Sequence, residues 1–319
     1  MARGLTSRFV LVAMILPLCL TVLPRPWNAC GAAGKKVIFI PGRQSHGWSG
    51  HAYTADCKLL ARILNENVTG IEAAVIEGGW PKDTSVLDGA AAIVIGCDGN
   101  SLIGSESNWK ALDAIASKGT GLAFLHYSLD PGKRYGKYLL DWIGGYYEQH
   151  WSVNPSWRAE FRSLPNHSIT RGVRPFAAHD EWYYHMRFRD QMKGVTPILT
   201  AVPPDSTRKR PDGPHSNNPT VRARMGMPEH VAWAYERPDG SRGFGCTGGH
   251  THWVYAQNDF RKLMLNAICW IAKVDVPAEG VPTRTPTAVE MEANLEGDRP
   301  GNWTIERTKR VIEDLNPVK

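Results

Sequence analysis

The sequence predicts an α/β fold of three layers, with a mostly parallel, flavodoxin-like sheet between helices. Three observations point to it. Short apolar runs recur through the first half of the chain, each bounded by glycine or polar residues. Amphipathic, helix-length segments separate several of them, as parallel crossovers require. The run Ala90–Gly96 is apolar throughout, which suits a strand covered on both faces.

Each element has its own reason. Lys35–Gly42 is an apolar run that ends in glycine, hence a buried strand entering a loop. Thr54–Asn65 carries Cys57, Leu59, Leu60, Ile63 and Leu64 at helical spacing. Ile71–Ile76 and Ala90–Gly96 read as the next two strands, Ser107–Ser117 as a helix, and Gly121–Tyr127 as a fourth strand. Residues 130–228 are irregular and aromatic, with short strands expected near Arg158–Ser163 and Thr196–Val202. Pro203–Pro228 is proline-rich and basic, and is expected to be a long surface loop that shapes a site. Val231–Arg237 and Arg242–Gly248 flank Pro-Asp-Gly, a strong hairpin signal. Phe260–Ala272 reads as a closing helix, and Ile305–Leu315 as a short one in a polar tail. The domain plan is residues 1–33 as an export signal, 34–276 as one α/β domain and 277–319 as the tail.

The export signal rests on Arg3 and Arg8, the apolar run Phe9–Leu23, and the small residues Ala29-Cys30-Gly31-Ala32-Ala33. About fifteen apolar residues fall short of the ~20 that span a bilayer. The mature chain is therefore expected outside the cytoplasm, periplasmic or extracellular. Charge supports no nucleic-acid partner. The formal net charge is +6, yet three arginines and no acid lie in residues 1–33, and Arg208, Lys209, Arg210, Arg222 and Arg224 share one segment. Four cysteines remain beyond residue 33, too few for a disulfide scaffold. Cys57 and Cys269 sit on apolar helix faces and read as buried thiols.

In an open parallel sheet, ligands bind beyond the carboxyl ends of the strands. Arg43, His46, Trp48 and His51 follow the first strand, Asp98 the third, His126 the fourth, and His250, His252 and Trp253 the last. In extended backbone His250 and His252 would share a face and reach one ligand. Asp180 and Glu181 are placed to orient a histidine or bind hydroxyls. Imidazoles at this density suit a Zn-type divalent metal held by His126, His250 and His252, or acid/base work on a hydroxyl or ketone. Trp48 and Trp253 suit stacking on the C–H face of a sugar ring. Arg43, His46 and Asp98 complete the expected substrate-binding set. No Walker loop or dinucleotide fingerprint occurs, so no nucleotide cofactor is expected.

Six segments, in order, resemble the ThuA-like (trehalose utilisation) family of the class I glutamine amidotransferase-like fold. They are Val37–His46, Gly119–His126, Asn166–Gly172, Asp180–Tyr183, Gly248–His250 and Phe260–Trp270. In the amidotransferases a nucleophilic cysteine follows the strand that is here Gly121–Leu125, where this chain has His126. Their catalytic histidine matches His250, and their glutamate position is His252. With thiol and acid both replaced, glutamine hydrolysis is not expected. The resemblance implies sugar catabolism: a hydrolase or lyase acting on a sugar or 3-keto-glycoside, with a sugar dehydrogenase as pathway partner. On this reading His126 and His250, with Asp180 and Glu181, form the catalytic core. Two other readings stay open: a non-catalytic carbohydrate-binding or scaffolding domain, and a hydrolase whose nucleophile is Cys97.

Overall fold

The computed structural model describes Met1 and residues 34–317; the expected export signal, Met1 apart, lies outside the described residues. The chain runs β1 (Lys35–Pro41), α1 (Tyr53–Asn67), β2 (Ile71–Val75), β3 (Ala92–Gly96), α2 (Glu106–Ala116) and β4 (Gly121–Leu125). It continues through α3 (Gly136–Ile143), β5 (Gly145–Tyr146), β6 (Trp157–Phe161), β7 (Phe176–Asp180), β8 (Arg187–Phe188) and β9 (Val195–Ala201). It closes with α4 (Pro219–Arg222), β10 (Glu229–Glu236), β11 (Arg242–Cys246), α5 (Asn258–Ile271), α6 (Ala288–Glu292) and α7 (Ile305–Leu315). Among the described residues no helix is long and apolar enough to cross a membrane.

Alternation along the strands builds the three layers. In β1, Val37 and Phe39 face one core with α1 and α5, while Ile38 and Ile40 face another with α2 and α3. β3 and β4 divide in the same way, so the apolar runs are buried on both faces. The buried Leu59, Leu60, Ile63 and Leu64 of α1 contribute roughly 1.5–3 kcal/mol each to that packing.

The main sheet has the order β2-β1-β3-β4-β11-β10-β9. All pairs from β2 to β11 are parallel, and only β10 runs against its neighbours. The chain steps from β1 to β2 on one side and then to β3 on the other. The carboxyl ends of β1 and β3 therefore flank a topological switch point, where such sheets form their crevice. The expected hairpin is β10–β11, and the expected strands of the middle segment are β6 and β9. Sequence reading missed α3, the strand β7 that pairs with β6, and the two-residue strands β5 and β8 that pair with each other. All four are too short or too mixed in polarity to show a period.

Pro203–Pro228 is the mostly exposed surface segment expected, pinned at a few buried residues. Asp205–Arg208 forms a 3-10 turn and α4 follows. Arg208 is fully buried and donates to the carbonyls of Val221 and Met227 and to Glu229 Oε1. Arg224 holds the same carboxylate at 2.8 Å, and Arg222 pairs with Asp212. Arg208, Arg222 and Arg224 are thus matched by acids or carbonyls, although Arg208 Nε and Arg210 Nη1 are buried without a partner among the described residues. Arg208→Ala is expected to destabilise the protein by about 3 kcal/mol, since Glu229 loses its fully buried arginine partner. Urea unfolding should show a lower midpoint with an unchanged slope.

The tail is less polar in its packing than in its composition. Val281 and Met291 are fully buried, and Asn316 caps the chain onto α5 through Asn258 N. Thr287 and Glu290 form a capping box on α6, and Glu290 also accepts from Arg62 of α1 at 2.8 Å.

Candidate functional site

The site lies beyond the carboxyl ends of β1, β3, β4 and β11, with one element arriving from β7. The loop after β1 delivers Ser45, His46 and His51. Gly50 bridges to both His46 and Thr251, and a Cβ there would lie 2.1 Å from the His46 carbonyl oxygen. The backbone amide of His51 donates to the carbonyl of His250, so the loops after β1 and β11 are joined. His51 and His126 both adopt left-handed φ, +46° and +51°, which non-glycine residues rarely do.

Three imidazoles converge. His51 Nε2 lies 3.0 Å from His250 Nδ1 and 3.0 Å from His126 Nε2. Ring centroids are 4.9 Å apart for His51–His126, 4.7 Å for His51–His250 and 5.3 Å for His126–His250. Glu181 Oε2 stands 3.1 Å from His250 Nδ1 and 3.6 Å from His126 Nε2. The Tyr183 hydroxyl is 3.0 Å from His126 Nε2. His51, His126, His250 and Glu181 form a donor set compatible with one ion.

The outer bonds fix which nitrogens face inward. His126 Nδ1 is 2.7 Å from the Thr247 carbonyl, which can only accept, so Nδ1 carries the proton. His51 Nδ1 is 2.6 Å from Asp98 Oδ1, whose carboxylate also accepts from Tyr53 at 2.7 Å. Burial alone would raise the Asp98 carboxyl, but hydrogen bonds from His51, Ser45 and Tyr53 hold it well below the usual range. Asp98 is therefore ionised and His51 Nδ1–H donates to it. As neutral imidazoles, both rings then present Nε2 lone pairs to the same point. Burial, with the adjacent His51, holds His126 well below its ordinary value. Burial pulls His250 down too, but Glu181 outweighs it and raises that imidazole.

The remaining expected residues divide. His46 sits at the exposed rim, its ring centroid 3.9 Å from His51 and 5.6 Å from His250. Arg43 is exposed and has no hydrogen-bond partner among the described residues. His252 does not join His250. Its ring is buried and its Nδ1 is 2.6 Å from Asp56 Oδ1 of α1. The chain bends into a 3-10 turn at His252, so the alternation of extended backbone no longer applies. Asp180 also turns away from the cluster, being buried beneath the β11 loop. It accepts from the backbone amides of Gly249 (2.6 Å), His250 (3.3 Å) and Thr251 (3.2 Å). Gly249, at φ +113°, supplies the conformation that turns those amides toward one carboxylate.

Trp48 and Trp253 are not open stacking platforms. Trp303 of the tail stacks on Trp253 at 5.4 Å and 7°, and both pack edge-on to Trp48 at 5.8 Å. The Cys97 thiol is buried and pushed up to about 12 by that burial, so it is not the activated thiolate a nucleophile requires. Cys57, Cys97, Cys246 and Cys269 are all free and buried.

His51 is the hub that sequence reading left unassigned. Its signal was a second histidine five residues after His46, in a loop leading into a helix. Tyr183 and Tyr53 carried no separate signal, since buried tyrosines are common in cores.

Residues 37–271 match the family model described as ThuA, trehalose utilisation. A solved putative ThuA-like protein from Bacteroides uniformis is similar with a TM-score of 0.56 and 15% identity, covering 79% of this chain and 97% of that one. A second, from Parabacteroides merdae, has a TM-score of 0.53 and 13% identity, covering 83% and 100%. At such identities the likeness is one of fold. Among curated proteins none matches the sequence.

Proposed function

The chain belongs to the ThuA, trehalose-utilisation family, and on that premise we propose that it is an exported enzyme of carbohydrate catabolism. It acts as a hydrolase or lyase on a sugar or 3-keto-glycoside, with a divalent, Zn-type cation held by His51, His126, His250 and Glu181. A sugar dehydrogenase acting upstream supplies the ketone. Residues 1–33 carry the chain out of the cytoplasm.

One observation carries the site. Two imidazole Nε2 atoms, whose rings donate outward through Nδ1 in their neutral forms, face one another at 3.0 Å. Opposed lone pairs at that distance repel unless something positive lies between them. Glu181 adds a carboxylate to the same point, and only His250 and Tyr183 have protons to offer. Nitrogens bound to one Zn²⁺ at 2.0–2.1 Å are about 3.3 Å apart, close to the separation found. The outer partners Asp98 and Thr247 are of the kind that orient metal-bound histidines. Such a cation would polarise a carbonyl or hydroxyl oxygen. The chain's own residues divide the rest: Asp98 and Tyr53 hold His51, the Thr247 carbonyl holds His126, and the exposed His46 faces the entrance as a proton carrier for the substrate.

Elemental analysis of the purified chain should find close to one ion per molecule, lost in His250→Ala. The metal-loaded chain should turn over neutral glycosides or 3-keto-glycosides and lose that turnover with a chelator. Active protein without metal would reject the cation. Sugar binding without any turnover would favour the carbohydrate-binding module.

A further inference from the structure

Beyond the histidine cluster the entrance continues as a wall of aromatic rings. Tyr127, next after His126, is half-buried, with its ring 5.9 Å from His51 and 6.4 Å from Tyr183. It stands edge-on to His215, at 6.5 Å and 89°. His215 belongs to the Pro203–Pro228 segment and stacks on Tyr147 at 5.6 Å and 26°. Tyr147 in turn lies 5.2 Å from Tyr183. Three stretches of chain, distant in sequence, thus extend the site in one direction.

Hydrogen bonding gives this wall a polarity. His215 Nδ1 is 3.1 Å from the Tyr147 hydroxyl. That bond occupies Nδ1 and leaves His215 Nε2 with no partner among the described residues. The Tyr127 hydroxyl likewise has none among the described residues. Asp130 sits behind the wall, buried, and accepts from Gln149 at 3.1 Å and from the Gly132 amide at 3.2 Å. Asp98 and Glu181 stand at the cluster itself, with Asp130 behind the wall.

We propose that Tyr127 and His215 form the subsite that holds the ring of a neutral, unphosphorylated sugar. This rests on the carbohydrate reading above and names the residues that select the substrate. Half-open aromatic rings suit the C–H face of a pyranose, and the two unpartnered polar atoms, Tyr127 Oη and His215 Nε2, suit its hydroxyl groups. Asp98, Glu181 and Asp130 offset the charge of the proposed cation, so a phosphate or uronate gains little there over a neutral ring. The segment whose composition suggested an open loop is folded so as to present His215 to this wall.

Calorimetry on the full chain with methyl α-D-glucopyranoside, D-glucose 6-phosphate and D-glucuronate tests the assignment. The neutral glycoside should bind at least about tenfold tighter than either anion. Tyr127→Ala and His215→Ala should each weaken it about tenfold with bound metal unchanged, and Tyr127→Phe, which keeps the ring, should lose less. Circular dichroism confirms that each variant is folded. Tighter binding of the phosphate, absence of neutral-sugar binding, or binding indifferent to both side chains overturns the subsite. The two proposals fail separately. Metal-free protein that binds the glycoside through Tyr127 and His215 rejects the cation and keeps the subsite. Metal-loaded protein whose sugar binding ignores them does the reverse.

Discussion

Replacing His51 with alanine should empty the proposed metal site while leaving the protein folded. His51 Nε2 is the one atom within 3.0 Å of both other imidazoles, so its removal takes away a ligand and opens the cluster at its centre. Loss of an outer partner of a metal-bound histidine typically costs 10–100-fold in affinity, and loss of the ligand should cost at least about 100-fold. Asp98→Asn, which keeps His51 but weakens its hold, should fall between wild type and His51→Ala. Stability should change by less than about 2 kcal/mol, because the ring belongs to the site, not to the apolar core. Competition against a chromophoric zinc chelator reads the affinities. His51→Ala protein that keeps a full complement of metal would refute the donor set.

His252→Ala should do the opposite: unfold the protein easily and leave the metal in place. His252 and Asp56 are 1% and 4% exposed, with 2.6 Å between Nδ1 and Oδ1. Burial already raises the Asp56 carboxyl despite the hydrogen bond from His252. Without that bond an unpartnered acid is left between α1 and the β11 loop. Breaking a buried pair in this way costs about 3–5 kcal/mol. The double variant Asp56→Ala/His252→Ala should lose less than the two single losses combined, because it strands no charge. Urea denaturation of the four proteins measures this. A loss below about 1 kcal/mol, or loss of metal in His252→Ala, would return His252 to the site.

His250 and His252 show how far the sequence alone reaches. Side chains two apart on a strand share a face, and the resemblance aligns both with positions of the amidotransferase triad. The strand ends at Cys246, however, and the 3-10 turn from His252 sends its ring to α1. The tryptophans mislead for a related reason. Trp48 and Trp253 lie on the predicted rim, but Trp303, fifty residues later, covers Trp253. Within Pro203–Pro228, a surface segment as its composition suggests, Arg208 is the exception: carbonyls and Glu229 enclose it.

The layered sheet was legible because its causes are local: two-residue alternation, helical spacing and turn residues act over a few positions each. They place His46, Asp98, His126 and His250 at strand ends, and strand ends in a parallel sheet face one rim. Which ring nitrogens meet, and in which protonation state, follows from contacts spanning most of the chain. His51 meets His250 across 199 positions and His126 across 75, and His126 takes its tautomer from Thr247. Those distances depend on side-chain packing and on backbone turns that no periodicity records. The rim could therefore be read from the sequence, whereas the tertiary structure decided that His51, not His252, completes the cluster.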